Sequence, residues 1–277
     1  MPTKIIAEVG INHNGDLSIA KRLIDIAAAA GCDYVKFQKR NPEKSTPEAM
    51  RHAKRETPWG VMDYIDYKNK LEFGQKEYDE IGDHCLRAGI KWTASPWDIE
   101  SYLFLLDYRP DFIKVPSAML TDKLFLTMLK DHGTRVVLST GMSDMPMVED
   151  AVSMVGEKNI AAILHCTSTY PAKTEELNLR CIDTLRKRFS RTEIGFSNHH
   201  PGVVYMAAAV ALGAKWIEFH ITLDRAMWGT DQSASIEPEG IFKLVKYVRG
   251  IEAAMGDGEK RIYDSELPII QKLRRAA

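Results

Sequence analysis

The chain has 277 residues, with 37 Lys plus Arg against 38 Asp plus Glu, a formal net charge of -1, and 45% hydrophobic residues. That balance gives no electrostatic case for nucleic acid and excludes acidic or basic tail proteins, while ordinary glycine and proline contents exclude collagen-like and disordered classes. The apolar fraction suffices for the core of one large domain or two small ones.

In chain order, a short β-rich run is followed by a longer helical pattern eight times. The strands read as Ile5–Val9, Tyr34–Phe37, Lys91–Ala94, Phe112–Val115, Arg135–Ser139, Ala161–His165, Glu193–Ser197 and Trp216–Phe219. The helices read as Ile19–Ala30, Gln75–Ala88, Ile99–Leu106, Leu124–Asp131, Met145–Val155, Leu177–Phe189, Val203–Leu212 and Pro238–Met255. The strands are too short and too apolar to have a wet face, so they predict a parallel sheet covered on both sides. Eight such units predict closure into a single-domain α/β (β/α)8 TIM barrel over residues 1–258, with 259–277 as a C-terminal extension. A doubly wound open sheet is the alternative. Gly31, Gly89 and Gly213 each follow an apparent helix end, as a left-handed C-cap requires.

The segment from Arg40 to Phe73 breaks the alternation. It is rich in Lys, Arg, Pro, Trp and Tyr and has no sustained period. Insertions of that length are uncommon unless functional, so it is expected to form a lid or wall of a site, a plain surface excursion being the alternative. The N-terminus runs straight into Ile5-Ile6-Ala7, which predicts no cleaved leader. The weakly polar stretch from Val203 to Ala214 falls short of the ~20 residues that span a bilayer. Cys32, Cys85, Cys166 and Cys181 form no CxxC pair and read as reduced thiols, so a cytoplasmic protein is expected.

Barrel enzymes carry their chemistry at the C-terminal ends of strands. Here those ends carry Glu8 and the Gly10–Gly15 loop, Lys36 and Gln38, Ser95, Lys114 and Ser117, Ser139, His165 and Ser168 with Tyr170, Ser197 and His199, and Glu218 with His220. A lysine in an apolar strand is costly unless its charge is used, so Lys36 and Lys114 point to a shared phosphate or carboxylate, or else to structural ion pairs. His199 and His220 end adjacent strands. Two imidazoles with a carboxylate and water suit a divalent metal such as Mn2+, Fe2+ or Zn2+, with packing or acid–base work as the alternative. Glu8 is a candidate ligand or base, and His13 is expected to face the pocket. Asp224, Arg225 and Asp231 would orient a polyol or tie their loop down. There is no HExxH, phosphate loop or GxGxxG fingerprint.

Read together, Glu8–Gly15, Val35–Gln38, Ser95-Pro96, Lys114–Ser117, Leu138–Met142, His165-Cys166, Tyr170-Pro171, Gly195–His199 and Glu218–Arg225 resemble the sialic acid synthase family, from residue 5 to about 258. The resemblance implies a phosphoenolpyruvate-dependent transferase that joins phosphoenolpyruvate to an aminosugar aldehyde such as N-acetylmannosamine, giving a nine-carbon 2-keto-3-deoxy acid and phosphate. It implies a divalent metal on His199 and His220, Mn2+ first, with Mg2+, Co2+ or Fe2+ as alternatives. Lys36, Lys114, Ser95, Ser117, Ser139 and Ser197 correspond to the phosphoenolpyruvate clamp. Glu8, Gln38, Tyr170 and Asp231 correspond to sugar-side or proton-transfer residues, and Ser168 and Asn12 to substrate contacts. Small-molecule substrates and a homo-oligomer, a dimer, are implied, without nucleic acid or membrane partners.

Three departures stand out. Ala118-Met119 replaces the family's Gly-Glu after the clamp serine, and Asp231 is followed by Gln232-Ser233 where the family has Pro-Asp-His around this position. The sequence ends at Ala277, which predicts a member without the C-terminal antifreeze-like domain whose arginine completes a partner's sugar site. Arg55, in the basic insertion with Arg51 and Trp59, is the expected substitute. A different or shorter aldose, a Schiff-base aldolase on Lys36 or Lys114, and a sugar-phosphate binder without turnover remain as rival readings.

Overall fold

The computed structural model describes residues 2–275. Among them the strands are β1 (Lys4–Gly10), β2 (Tyr34–Lys39), β3 (Lys54–Thr57), β4 (Gly60–Asp63), β5 (Lys91–Pro96), β6 (Ile113–Val115), β7 (Val136–Ser139), β8 (Ile160–Cys166), β9 (Glu193–Asn198) and β10 (Trp216–His220). The helices are α1 (Leu17–Ala30), α2 (Pro42–Ser45), α3 (Glu48–Arg51), α4 (Tyr64–Leu71), α5 (Gln75–Ala88), α6 (Ile99–Leu106), α7 (Lys123–Asp131), α8 (Met145–Val155), α9 (Cys181–Arg188), α10 (Val204–Ala211), α11 (Pro238–Met255) and α12 (Leu267–Leu273).

Eight strands pair in parallel in the order β5-β2-β1-β10-β9-β8-β7-β6. The two ends of this series, β5 and β6, lie against each other, and Thr93 Oγ1 donates to the Phe112 carbonyl at 2.5 Å across the seam. The sheet therefore closes into a (β/α)8 barrel, and the open doubly wound alternative is set aside. Local sequence explains the units. Asp16 caps α1 by accepting from the Ser18 and Ile19 amides, and Gly31 and Gly89 end α1 and α5 at φ 87° and 71°, a region that a Cβ disfavours. One expected helix is shorter than read. The Leu177–Phe189 pattern forms α9 only from Cys181, because the chain first makes a 3-10 turn at Thr174–Glu176 and Asn178 takes φ 38°.

Alternation within the strands sorts side chains between two cores. The outward set packs under the helices in one continuous cluster that includes Ile5, Ala7, Val9, Leu23, Phe37, Phe125, Phe196, Phe219 and Leu244. The inward set forms an apolar plug of Ile6, Tyr34, Phe112, Val137, Ala162, Leu164 and Trp216. This plug closes one end of the barrel interior, so the polar inward residues further along the same strands gather at the other end. Gly195 is part of this fit. A Cβ there would lie 2.4 Å from the Trp216 carbonyl oxygen and 2.5 Å from Leu164 Cδ2. Gly195→Ala is expected to destabilise the fold by about 1–3 kcal/mol through overpacking, and equilibrium denaturant unfolding measures it. An unchanged midpoint would show that the plug has slack.

The Arg40 to Phe73 excursion is folded, although its sequence shows no sustained period. It contains α2, α3, the β3–β4 hairpin and α4. The strands of the hairpin are too short to show a period in sequence; its turn is fastened by Thr57 Oγ1 donating to the Gly60 carbonyl at 2.7 Å. Helix α4 buries Ile65, Tyr67 and Leu71 and so seats the excursion on the barrel rim, with Ile11 in the same cluster. No helix among the described residues is long and apolar enough to cross a membrane.

Candidate active site

The inward residues at the C-terminal ends of the strands surround a cavity of about 320 Å3. Each barrel strand reaches it: Glu8 from β1, Lys36 and Gln38 from β2, Ser95 from β5, Lys114 from β6, Ser139 from β7, Cys166 from β8, Ser197 from β9, and Glu218 and His220 from β10. Ser117, Ser168, Tyr170 and His199 come from the loops that follow. A second cavity of about 500 Å3 opens beside it and shares Gln38, Trp97, Ala118 and Tyr170. Its own wall includes Ile11, Arg40, Thr46, Tyr64, Lys68, Met119 and Asp231, so the excursion forms one side of the site.

The floor of the first cavity is a buried quartet of two ammonium and two carboxylate groups. Lys36 Nζ lies 2.8 Å from Glu8 Oε2 and 3.8 Å from Glu218 Oε1, and Lys114 Nζ lies 3.5 Å from Glu218 Oε2. Lys36 also donates to Ser95 Oγ at 3.0 Å, Lys114 donates to Ser139 Oγ, and Ser197 Oγ donates to Glu218 at 3.2 Å. The two readings of the lysines are thus combined, since both are ion-paired and both line the cavity. Burial raises the cost of ionising Glu218, but Lys114, Lys36 and His220 outweigh it and pull its carboxyl down to about 2. Burial works against the Lys36 ammonium, and Glu218 and Glu8 more than restore it, so its pKa is raised. Burial, together with repulsion from Lys36, leaves Lys114 lowered.

The two histidines stand at one edge of the same cavity with ring centroids 5.4 Å apart. His199 Nδ1 donates to the Thr167 carbonyl at 2.7 Å, which leaves Nε2 as a lone-pair nitrogen, here accepting from Tyr170 OH at 2.9 Å. His220 Nδ1 is buried, has no hydrogen-bond partner, and lies 3.7 Å from Asp231 Oδ2. Burial holds the His220 pKa below its usual value despite Asp231 and Glu8, so the ring is neutral at pH 7. Burial also opposes charge on His199, but Cys166 and the Thr167 carbonyl raise its pKa. Cys166 Sγ is 3.7 Å from His199 Nδ1; burial disfavours its thiolate, yet His199 and Lys114 bring the pKa down to about 7.

A divalent cation fits this edge by its donor set. Two imidazoles converge there, His199 Nε2 with only the Tyr170 hydroxyl on it and His220 Nδ1 a buried nitrogen without a hydrogen-bond partner. Among the described residues no group of three or more His, Cys, Asp or Glu side chains could hold a metal. His199 and His220 would therefore form a two-ligand platform whose remaining positions belong to water or substrate.

Most of the expected site residues converge on the two cavities: Glu8, Lys36, Gln38, Ser95, Lys114, Ser117, Ser139, Ser168, Tyr170, Ser197, His199 and His220 line the first, and Asp231 the second. Four fall elsewhere. Asn12 is buried and spends its amide on the Ile221 carbonyl and Ser235 Oγ, each at 2.8 Å, which ties the loop after β1 to the loop after β10. His13 stacks on Phe73 at 4.0 Å, and burial drives its pKa down to about 3. Arg55 lines neither cavity, because its guanidinium is held 4.7 Å over the Tyr67 ring and 5.4 Å over Trp228. Arg225 pairs with Glu237 at 3.3 Å and so ties its loop to the start of α11. Glu218 and Cys166, which the sequence reading named at strand ends without giving them a role, line the first cavity; Trp97 in the first cavity and Arg40 and Lys68 in the second were passed over. Glu218 carried a signal: it sits two residues before His220 in a buried strand and so shares its face.

The model of the NeuB family matches residues 23–260. The N,N'-diacetyllegionaminic acid synthase of Campylobacter jejuni is 36% identical over 99% of this chain and 84% of its own length. The human N-acetylneuraminate-9-phosphate synthase is 38% identical over 99% of this chain and 77% of its own length. Among solved structures, the N-acetylneuraminic acid (sialic acid) synthetase of Leptospira borgpetersenii, in complex with citrate, superimposes with a TM-score of 0.85 at 32% identity, over 100% of this chain and 94% of that one. This chain belongs to the NeuB family.

Proposed function

We propose that the chain is a phosphoenolpyruvate-dependent synthase that condenses phosphoenolpyruvate with an N-acetylmannosamine-like aminosugar to a 2-keto-3-deoxy nonulosonic acid and releases phosphate. The observation that carries this reading is that Lys36, Lys114, His199 and His220 open into one cavity, with a second, sugar-sized cavity beside it. Membership of a family whose similar members are named as nonulosonic acid synthases supports it.

Phosphoenolpyruvate would lie over the lysine–carboxylate quartet. Each ammonium has three donors, and its fixed pairs orient it without using all of them. Ser95, Ser117, Ser139 and Ser197 add hydroxyls around the anion. The quartet is electrically neutral, so the substrate's own negative charge calls for a further cation, and the imidazole pair is where the site can hold one. A divalent metal bound at His199 and His220 would supply Lewis-acid polarisation of the acceptor's carbonyl oxygen; Mn2+ suits the nitrogen and oxygen donors, as do Mg2+, Co2+ and Fe2+.

Carbon 3 of phosphoenolpyruvate attacks the aldehyde carbon with the enol π pair, and the aldehyde oxygen takes up a proton. Water adds at carbon 2, and its proton passes to Glu8, which Gln38 Nε2 holds at 3.0 Å and Lys36 holds at 2.8 Å. The bond from carbon 2 to the bridging oxygen then breaks as the carbon-2 hydroxyl gives its proton to the departing phosphate, leaving the ketone and inorganic phosphate; the proton that Glu8 takes from water balances the one gained by the former aldehyde oxygen. Holding two substrates face to face is most of the catalytic task, and the shared wall of Gln38, Trp97, Ala118 and Tyr170 does this.

The test is a panel of aldoses with phosphoenolpyruvate and Mn2+, read by phosphate release and product mass, with a borohydride arm. Expected is one phosphate per product of mass equal to aldose plus pyruvate. A covalent adduct trapped on Lys36 or Lys114 by borohydride would replace this reading by a Schiff-base aldolase. Binding without product for every aldose and metal would replace it by a non-catalytic sugar binder.

A further inference from the structure

Two walls of the second cavity come from segments far apart in sequence. Tyr64 and Lys68 belong to α4 of the excursion, whereas Thr230 and Asp231 belong to the loop between β10 and α11. That loop is irregular from Leu223 to Asp231, so no backbone ladder fixes its distance from α4. What joins the two walls lies behind them.

Arg55 sits on β3, where alternation turns it inward while Lys54 and Glu56 face solvent. Its guanidinium lies 4.7 Å over the Tyr67 ring of α4 and 5.4 Å over the Trp228 ring of the loop. The two rings also meet edge to face at 5.2 Å, and Trp59, in the turn of the hairpin, meets Trp228 at 6.1 Å. The neighbouring cations have acidic partners, Arg51 with Glu43 and Glu48 and Lys54 with Asp63. Among the described residues no carboxylate lies within 4 Å of the Arg55 guanidinium, so aromatic faces are what complement its charge. The Tyr67 hydroxyl is buried without a hydrogen-bond partner, so no hydrogen bond from it holds that ring in place.

Trp228 passes this contact on to the site. Its carbonyl accepts from Asn14 Nδ2 at 2.9 Å and from Gln232 Nε2 at 3.4 Å, which fixes one point of the backbone. Its ring fixes the distance from that point to α4. Three residues further on, Asp231 lines the second cavity and lies 3.7 Å from His220 Nδ1. A shift of Trp228 therefore moves Asp231 and changes the gap between the two walls.

We propose that Arg55 is a positioning residue: held between Tyr67 and Trp228, it clamps the excursion to the loop after β10, sets the width of the second cavity and holds Asp231 toward His220. Its effect on turnover rests on the synthase reading; its effect on the order of the loop does not. The experiment compares the wild type with Arg55→Met, which keeps a long side chain between the rings without the charge, and Arg55→Lys, which restores a cation. Hydrogen exchange over residues 223–231, read by mass spectrometry, is expected to be about 10-fold faster in Arg55→Met, with exchange in β1 and β8 unchanged, and close to wild type in Arg55→Lys. In the same variant KM for the aldose is expected to rise about 10-fold, with a smaller change in kcat and KM for phosphoenolpyruvate unchanged, and Arg55→Lys is expected to recover most of the loss. Unchanged loop exchange in Arg55→Met, or exchange as fast in Arg55→Lys as in Arg55→Met, would overturn the clamp whatever the activity. Faster loop exchange with an unchanged KM for the aldose, or an equal rise in both KM values, would overturn the positioning role and leave the synthase intact. If the wild type condenses no aldose, the synthase reading fails, and the exchange comparison still decides the clamp.

Discussion

Replacing Lys114 with methionine is expected to lower kcat/KM for phosphoenolpyruvate by about 100- to 1,000-fold, the usual loss when a preorganised donor to a developing anion is removed. The same change is expected to destabilise the fold by about 3–5 kcal/mol, because Lys114 is 2% exposed and its removal leaves Glu218 a buried carboxylate with fewer partners. The two effects separate in the double variant Lys114→Met/Glu218→Gln. Neutralising Glu218 removes the uncompensated charge, so stability recovers in large part while turnover stays low. If activity returned together with stability, Lys114 would be a structural ion-pair partner and not a substrate contact.

The second large effect belongs to His220. With only two imidazoles converging at the edge of the cavity, His220→Ala leaves a single protein ligand. Mn2+ affinity, read by calorimetry, is expected to fall by more than about 100-fold, beyond the 10- to 100-fold typical when only a supporting partner of a ligand is lost. Phosphate release is expected to fall with it. His220→Ala with Mn2+ affinity unchanged would mean that the ring serves packing alone. The protein without substrate and metal should keep its fold, because the His220 ring is neutral and its Nδ1 makes no hydrogen bond whose loss would be felt.

Much of this molecule is legible in its sequence because two periods keep alternating. Short apolar strands such as Val136–Ser139 can only be buried on both faces, and eight of them with intervening helices leave closure as the economical arrangement. The rim was legible for the same reason. A polar residue inside such a strand, Lys36 or Lys114, has nowhere to go but the interior, and strand direction places it at the C-terminal end. Loops lack that constraint. Asn12 and His13 follow β1 within three residues of Gly10, but a turn can aim a side chain anywhere, and here it aims them at Ser235 and Phe73. Arg55 misled for a related reason. Composition located a basic excursion near the site, but the cation that faces the cavity is decided by the fold of α4, whose helical spacing turns Lys68 to the cavity while Tyr67 goes to the core. Arg40, one residue past β2, was indistinguishable in sequence from the surface arginines around it.

The lysine pairing has a consequence for specificity. Because Glu8 and Glu218 neutralise Lys36 and Lys114, the first cavity is not a general anion trap. An anion would gain there from directed hydrogen bonds and, under the proposed function, from a cation at the histidine edge, not from net charge. Binding of phosphoenolpyruvate and of the metal should therefore reinforce one another, each weak alone and tighter together.

The most direct measurement is a crystal structure of the protein with phosphoenolpyruvate and Mn2+. Expected are the phosphate and carboxylate of the substrate within hydrogen-bond distance of Lys36, Lys114 and the rim serines, with anomalous density for Mn2+ at His199 and His220. Phosphoenolpyruvate found outside the barrel mouth, or manganese bound away from both imidazoles, would contradict the assignment of the site.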